Sequence, residues 1–210
     1  MVSSYTGLDT IPQNADVYIY AVRDHALAEV INQVHTPQRA LHIHTSGTIP
    51  VSIFGPDKPH CGILYPFQTL SKTHIIEDFT TVPVFIEASG IDDISAIYTL
   101  ALTITPHIYE ASQSDRERLH VAGVFANNFS NLMYAIAKDI LRDTHIPFSA
   151  LLPLIDETAA KVHTLPPRAA QTGPAVRGDQ DVMAHHLELI KQPEYREAYK
   201  LLSSLIKHED

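Results

Sequence analysis

Glycine is sparse in this 210-residue chain, and its spacing excludes one common mode of cofactor capture. The eight glycines are Gly7, Gly47, Gly55, Gly62, Gly90, Gly123, Gly173 and Gly178, and no two are separated by a single residue. A G-x-G-x-x-G loop, whose glycines let the backbone approach a pyrophosphate at a helix N-terminus, therefore occurs nowhere in these residues. Cysteine is represented by Cys61 alone, which excludes an intrachain disulfide. Basic residues are also few: 15 Lys and Arg stand against 24 Asp and Glu, for a net charge of −9, and they form no cluster. That balance argues against a nucleic-acid partner, since neutralising phosphates takes clustered cations. No apolar run is long enough to span a membrane, and Met1 opens no signal-peptide pattern. A cytoplasmic protein with no membrane partner is expected.

What is present is the pattern of a globular α/β protein. Apolar residues make up 45% of the chain, and its length allows one large domain or two small ones. Residues 16–22 are an almost unbroken apolar run with β-branched and aromatic side chains, as in a strand buried on both faces of a parallel sheet. Asp24 is placed to cap a helix in which Ala26, Leu27, Val30, Ile31 and Val34 recur at helical spacing, up to Pro37. Further strands are predicted over 40–44, 60–65, 82–87 and 104–109, with a helix over 92–102. From Ser112 the character changes. Residues 114–142 lack proline and are apolar around most of a helical circumference, which predicts one long helix buried in a bundle or a dimer. Helices over 147–162, 179–191 and 194–207 complete an all-helical second half. The expected domains are residues 1–110 and 111–210.

Several segments carry side chains suited to chemistry. Ala21-Val22-Arg23-Asp24 ends the first strand, where ligands sit in doubly wound sheets; it also reads as a simple strand-to-helix cap. His44-Thr45-Ser46-Gly47 ends the second strand and can bring backbone close to a bound ring, or be an ordinary turn. His42 and His44 alternate along a strand and so share a face, but no nearby Cys, Asp or Glu completes a metal site, and none is expected. Gln68, Thr69, Ser71 and Lys72 follow a buried strand directly, where loops line sites. His120, Asn127, Asn128 and Asn131 lie on the long helix. Steps of 7 and 11 residues put His120, Asn127 and Asn131 on one stripe, as a general acid with hydrogen-bonding partners or as a buried polar network. Arg177 lies in a loop between helices, able to clamp an anion or to cap a helix.

Taken together, residues 19–24, 44–47, 65–72, 120–134 and 171–179 resemble the Rossmann-like proteins carrying the domain of unknown function 2520. That family is grouped with the deazaflavin-dependent NADP oxidoreductases and lies near pyrroline-5-carboxylate reductase. The resemblance covers essentially the whole chain. It implies a partial Rossmann-type parallel sheet lacking its first βαβ unit, followed by an all-helical domain like the C-terminal domain of 6-phosphogluconate dehydrogenase. It also implies a homodimer through that helical domain. In the wider β-hydroxyacid dehydrogenase superfamily a Ser-Thr or Ser-Gly turn after the fifth strand lies near the nicotinamide, and Thr45-Ser46-Gly47 matches it. The superfamily places a lysine and an asparagine early on the long helix; His120 stands at the lysine's place, and Asn127 or Asn128 follows two turns on.

The resemblance thus implies part of an NADP- or NAD-dependent oxidoreductase acting on a small alcohol, acid or imine. His120 would donate or accept the proton, Asn127, Asn128 and Asn131 would position substrate, and Lys72 would hold a substrate anion. Ala21, Val22, His44, Thr45, Ser46 and Gly47 would contact the cofactor, and Gln68, Thr69 and Arg177 the substrate. With no phosphate cradle, cofactor binding by these residues is expected to be weak or absent. The alternative is a non-catalytic dimeric binding module.

Overall fold

The computed structural model describes residues 7–71, 73 and 75–207. Five strands, β1 (Val17–Tyr20), β2 (Leu41–His44), β3 (Cys61–Pro66), β4 (Val84–Ala88) and β5 (Ile108–Glu110), form one sheet in chain order. Two helices belong to this layer, α1 (Asp24–Gln33) and α2 (Ile91–Leu102). The pairs β1–β2, β2–β3 and β4–β5 are parallel, but β3 and β4 are antiparallel. The fold is therefore α/β with a mainly parallel sheet. The reversal has a simple cause: the described residues between β3 and β4 hold only a short 3₁₀ turn, Phe79–Thr81, and no crossover helix of the kind a parallel return uses.

The central strands are covered on both faces, but the run at 16–22 is buried on one face only, not on both as expected: Tyr18 and Tyr20 are enclosed while Val17 and Ile19 are exposed, because β1 is an edge strand and the α2 side of the core does not reach it. On one face Tyr18, Tyr20 and Cys61 pack with Leu27 and Ile31 of α1 and with Phe54. On the other, Leu41, Ile43, Leu64, Val84 and Ile86 pack with Ile97 and Ala101 of α2. Gly62 permits the second packing, because a Cβ there would lie 2.4 Å from both the Glu87 carbonyl oxygen and the Ile97 side chain. The strand expected over 104–109 begins later, at Ile108, because Thr103 and Ile104 still close the last turn of α2.

The long helix forms, but not as uninterrupted α-helix. It consists of α3 (Gln113–Gly123), a π-helical segment (Val124–Phe129) and α4 (Ser130–Ile140). Then follow α5 (Leu152–Lys161), a short α6 (Pro174–Arg177), α7 (Gln180–Leu189) and α8 (Pro193–Lys207). No helix among the described residues is long and apolar enough to cross a membrane.

The chain divides into two compact units, Met1–Asn127 and Asn128–Asp210. The division lies beyond the composition change near Ser112 because α3 is anchored to the sheet. Arg116 is fully buried, forms an ion pair with Glu87 of β4, and donates to the carbonyls of Ala111 (3.1 Å) and Ile49 (3.3 Å). Gly123 seats on Phe67, whose ring would lie 2.7 Å from a Cβ. In the second unit, Tyr195 donates to Asp139 (2.8 Å) and Lys191 to Asp143 (2.5 Å), while His186 meets the Tyr199 hydroxyl (2.9 Å).

Candidate functional site

The carboxyl ends of β1 and β2 lie side by side, which brings the first two sequence motifs together. Arg23 caps α1, so Asp24 becomes the first helical residue and its carboxylate is free to accept from Thr48 Oγ1 at 3.0 Å. Ala21 and Val22 form the exposed loop before it. The 45–48 turn is tied up internally. The Ser46 N–H donates to His44 Nδ1 (3.2 Å), and the N–H groups of Thr48 and Ile49 both donate to Ser46 Oγ (3.2 Å each). These three amides hold the turn's shape and do not line up toward a ligand.

Gly47 has a specific reason to be glycine. The Tyr65 ring, from the end of β3, covers it so closely that a Cβ would lie 2.6 Å from Cζ and 2.9 Å from the hydroxyl oxygen. On its other side the Tyr65 hydroxyl meets Nδ1 of His120 at 3.2 Å. Burial, and then the Asp24 carboxylate, push the Tyr65 phenol's pKa up. His120 itself is exposed on α3, one turn beyond the buried Arg116. Asp24, Thr48, Ser46, Gly47, Tyr65 and His120 thus form one connected constellation within the first unit.

His44 and His42 face one side of the sheet, as their alternation requires, and both lie inside it. His44 stacks on Phe54 (centroids 5.6 Å apart), and because its Nδ1 accepts from Ser46 its proton sits on Nε2. That nitrogen is buried; the Pro50 carbonyl acts on it electrostatically without the geometry of a hydrogen bond. Burial lowers the His44 pKa to about 4 against the opposing pull of Pro50. His42 bridges the Tyr20 hydroxyl (3.1 Å) and Thr36 Oγ1 (3.2 Å), and burial likewise lowers its pKa to about 4. Both are neutral aromatic core residues at physiological pH. Among the described residues no three metal-ligating side chains converge.

Gln68 accepts from the Thr69 N–H (2.8 Å), a local contact on an exposed loop, and Lys72 lies outside the described residues. Arg177 pairs with Asp179 (2.8 Å) in the second unit. Asn127 falls at the end of the first unit, Asn128 and Asn131 in the second, all three exposed. Their common stripe with His120 assumed an unbroken α-helix. The π segment between them closes i→i+5 bonds, so the constant α-helical repeat that the stripe requires does not run through it. The sequence reading passed over Tyr65 and Arg116. No one-dimensional signal joins positions 47, 65 and 120; only the packing of the β2 turn, the end of β3 and α3 does.

An open cleft of about 460 Å³ lies elsewhere in the first unit, between the carboxyl ends of β4 and β5 and the start of α2. None of the predicted residues lines it.

The donor set can be weighed against a nicotinamide dinucleotide. A small-residue turn at the end of a parallel strand, with a phenol and an imidazole beside it, fits the nicotinamide end. The pyrophosphate is not matched: the positive-φ glycines Gly55, Gly173 and Gly178 lie in separate loops, with no clustered backbone donors of the fingerprint type.

Comparison with known proteins agrees with this architecture. Residues 82–206 match the model of the family described as Domain of unknown function (DUF2520). A proposed NADP oxidoreductase from Bacteroides fragilis is 41% identical, with a TM-score of 0.91 over 98% of this chain and 80% of its own. A Thermotoga maritima protein is 22% identical, with a TM-score of 0.76 over 94% of this chain and 79% of its own. An imine reductase from Myxococcus stipitatus, solved with NADP+, shares the fold at 15% identity and a TM-score of 0.54, over 93% of this chain and 73% of its own. No curated protein matches the chain. With the family model covering more than half its length, the chain belongs to the DUF2520 family and has the Rossmann-like fold of the NADP oxidoreductase-type proteins.

Proposed function

We propose that this chain forms the nicotinamide-end and substrate-handling part of an NAD(P)-dependent oxidoreductase acting on a small alcohol, acid or imine. The observation that carries the reading is the contact series Gly47–Tyr65–His120 at the carboxyl end of β2. A bound nicotinamide supplies or accepts the hydride; the residues described here handle the proton and the substrate. His120 and Tyr65 are the proton-handling pair. Thr45, Ser46 and Gly47 shape the floor, with Asp24 and Thr48 fixing its outer edge. NADP is favoured over NAD because the 41%-identical relative is described as an NADP oxidoreductase.

The same reading includes a two-fold homodimer through the helical unit. Its support is the exposure of Leu132 and Ile140 on α4, and of Leu154, Leu189, Leu201 and Leu205 further on.

The test is a titration of the ¹⁵N-labelled chain with reduced nicotinamide mononucleotide and with NADPH, followed by NADPH oxidation against a panel of small imines and carbonyl compounds. Both ligands should perturb the amides of Thr45–Thr48 at millimolar concentration, and NADPH should bind little more tightly than the mononucleotide. Micromolar NADPH affinity would demand a phosphate site of a kind not seen among the described residues. Perturbation by neither ligand would favour a non-catalytic binding module.

A further inference from the structure

We infer that Tyr65 and His120 form a proton relay in which the Tyr65 phenol faces the reacting atom and His120 reloads it from solvent. The inference rests on the oxidoreductase reading and reverses the direct role that the sequence alone suggests for His120. Three observations carry it. The phenol touches both neighbours: its oxygen is within 2.9 Å of where a Gly47 Cβ would be and 3.2 Å from His120 Nδ1. The order of exposure is right for a relay, since Tyr65 is half-buried and His120 is exposed. Burial and the Asp24 carboxylate both raise the phenol's pKa, so a phenolate formed by proton transfer is costly and is reloaded at once by the hydrogen-bonded His120.

The pair can pass a proton without moving a heavy atom. With His120 neutral, the phenol O–H donates to Nδ1 and the imidazole proton sits on Nε2, toward solvent. When a neutral imine or carbonyl takes up hydride at carbon, its π electron pair moves onto nitrogen or oxygen. That atom takes the phenolic proton, breaking the Tyr65 O–H bond and forming N–H or O–H. Transfer starts from the imidazolium, in which Nδ1–H donates to the phenol oxygen and leaves the phenol O–H free for the substrate atom; Nδ1 then gives its proton to the phenolate, and a solvent proton restores the imidazolium. One hydride and one proton enter the substrate, and the pair returns to its starting state. In the oxidation direction each transfer runs in reverse.

The pairing is tested without any cofactor by ¹⁵N-histidine NMR on the 210-residue chain. The Nε2–H tautomer of His120 should dominate in the wild type, and the tautomer balance should relax toward that of free imidazole in Tyr65→Phe. Identical His120 spectra in the two proteins would overturn the relay. The order of the relay is tested in NADPH-dependent turnover of the imine and carbonyl panel. Tyr65→Phe should lower turnover about 10²–10⁴-fold with the KM for NADPH unchanged. His120→Ala should lower it on the order of tenfold or more, and added imidazole should recover it in that variant and not in Tyr65→Phe. Full turnover in Tyr65→Phe with none in His120→Ala would make His120 the direct donor, defeating the relay while leaving the oxidoreductase reading intact. No hydride transfer by the wild-type protein to any panel member would defeat the oxidoreductase reading, whatever the NMR result.

Discussion

The two units of this chain are both rich in aliphatic residues, yet they bury them very differently. In the sheet unit Ile43, Ile63, Val82, Val84, Ile86 and Ile97 are all fully enclosed. Among the described residues of the helical unit only Ala175 and Ile190 fall in the buried class, while Leu154 and Leu189 are more than 60% exposed. A sheet covered by helices on both faces completes a core within one chain. Short helices joined by turns leave stripes that another surface must cover. The charged groups differ in the same way. The sheet unit encloses a guanidinium and two histidines, whereas the helical unit keeps its ion pairs at the surface.

The largest expected effect is acid lability of the sheet unit. Burial lowers the pKa values of His42 and His44 to about 4 in the folded chain, below the ordinary histidine value of 6.5. The unfolded chain therefore binds more protons, so the stabilising contribution is complete above pH 6.5 and is lost as pH falls toward 4. Each histidine contributes roughly 3 kcal/mol over that window. Thermal melts between pH 7 and 4 should show the drop, and His42→Asn should roughly halve its slope. A flat profile would mean that the two imidazoles protonate without unfolding.

Arg116 comes next. Truncation to Met leaves Glu87 without its cation and the Ile49 and Ala111 carbonyls without a donor. A loss of about 3–5 kcal/mol is expected by urea denaturation, with recovery of much of it in the Arg116→Met/Glu87→Leu double variant. A loss below 1 kcal/mol would remove the reason for grouping α3 with the sheet.

In the helical unit the expected effect is on association. Light scattering should report a homodimer at micromolar concentration, and Leu132→Glu should weaken it by about 2–3 kcal/mol, or tens- to hundreds-fold. A wild-type monomer would mean that the exposed stripes serve something other than a second copy. The smallest effect belongs to a surface pair: Lys200, 2.8 Å from Glu197 on α8, should change to Met with less than about 0.5 kcal/mol of consequence. If it cost as much as Arg116, the contrast in burial between the units would not govern their electrostatics.

The sequence by itself determined the element pattern and the fold class. The run at 40–44 is satisfied by burial on both faces, and the spacing of Leu27 and Ile31 by a helix packed on one side; the run at 16–22 marked a strand correctly but not its edge position, which leaves Val17 and Ile19 exposed. The sequence also singled out the turn at 44–47 and the histidine at 120, which Tyr65 joins in the structure. Tertiary structure decided the rest. The reversal between β3 and β4 depended on how a connection with no crossover helix among its described residues would fold. The stripe from His120 to Asn131 is broken by a π segment that residue spacing could not show, because periodicity presumes a constant helical repeat. Tyr65 became a candidate only when the sheet brought position 65 against positions 47 and 120, and Arg116 only when its guanidinium was seen enclosed. Local pattern follows from which side chains avoid water, and a chain can be read for that. A hydrogen bond between residues 55 positions apart depends on register and packing, which exist only after the chain has folded.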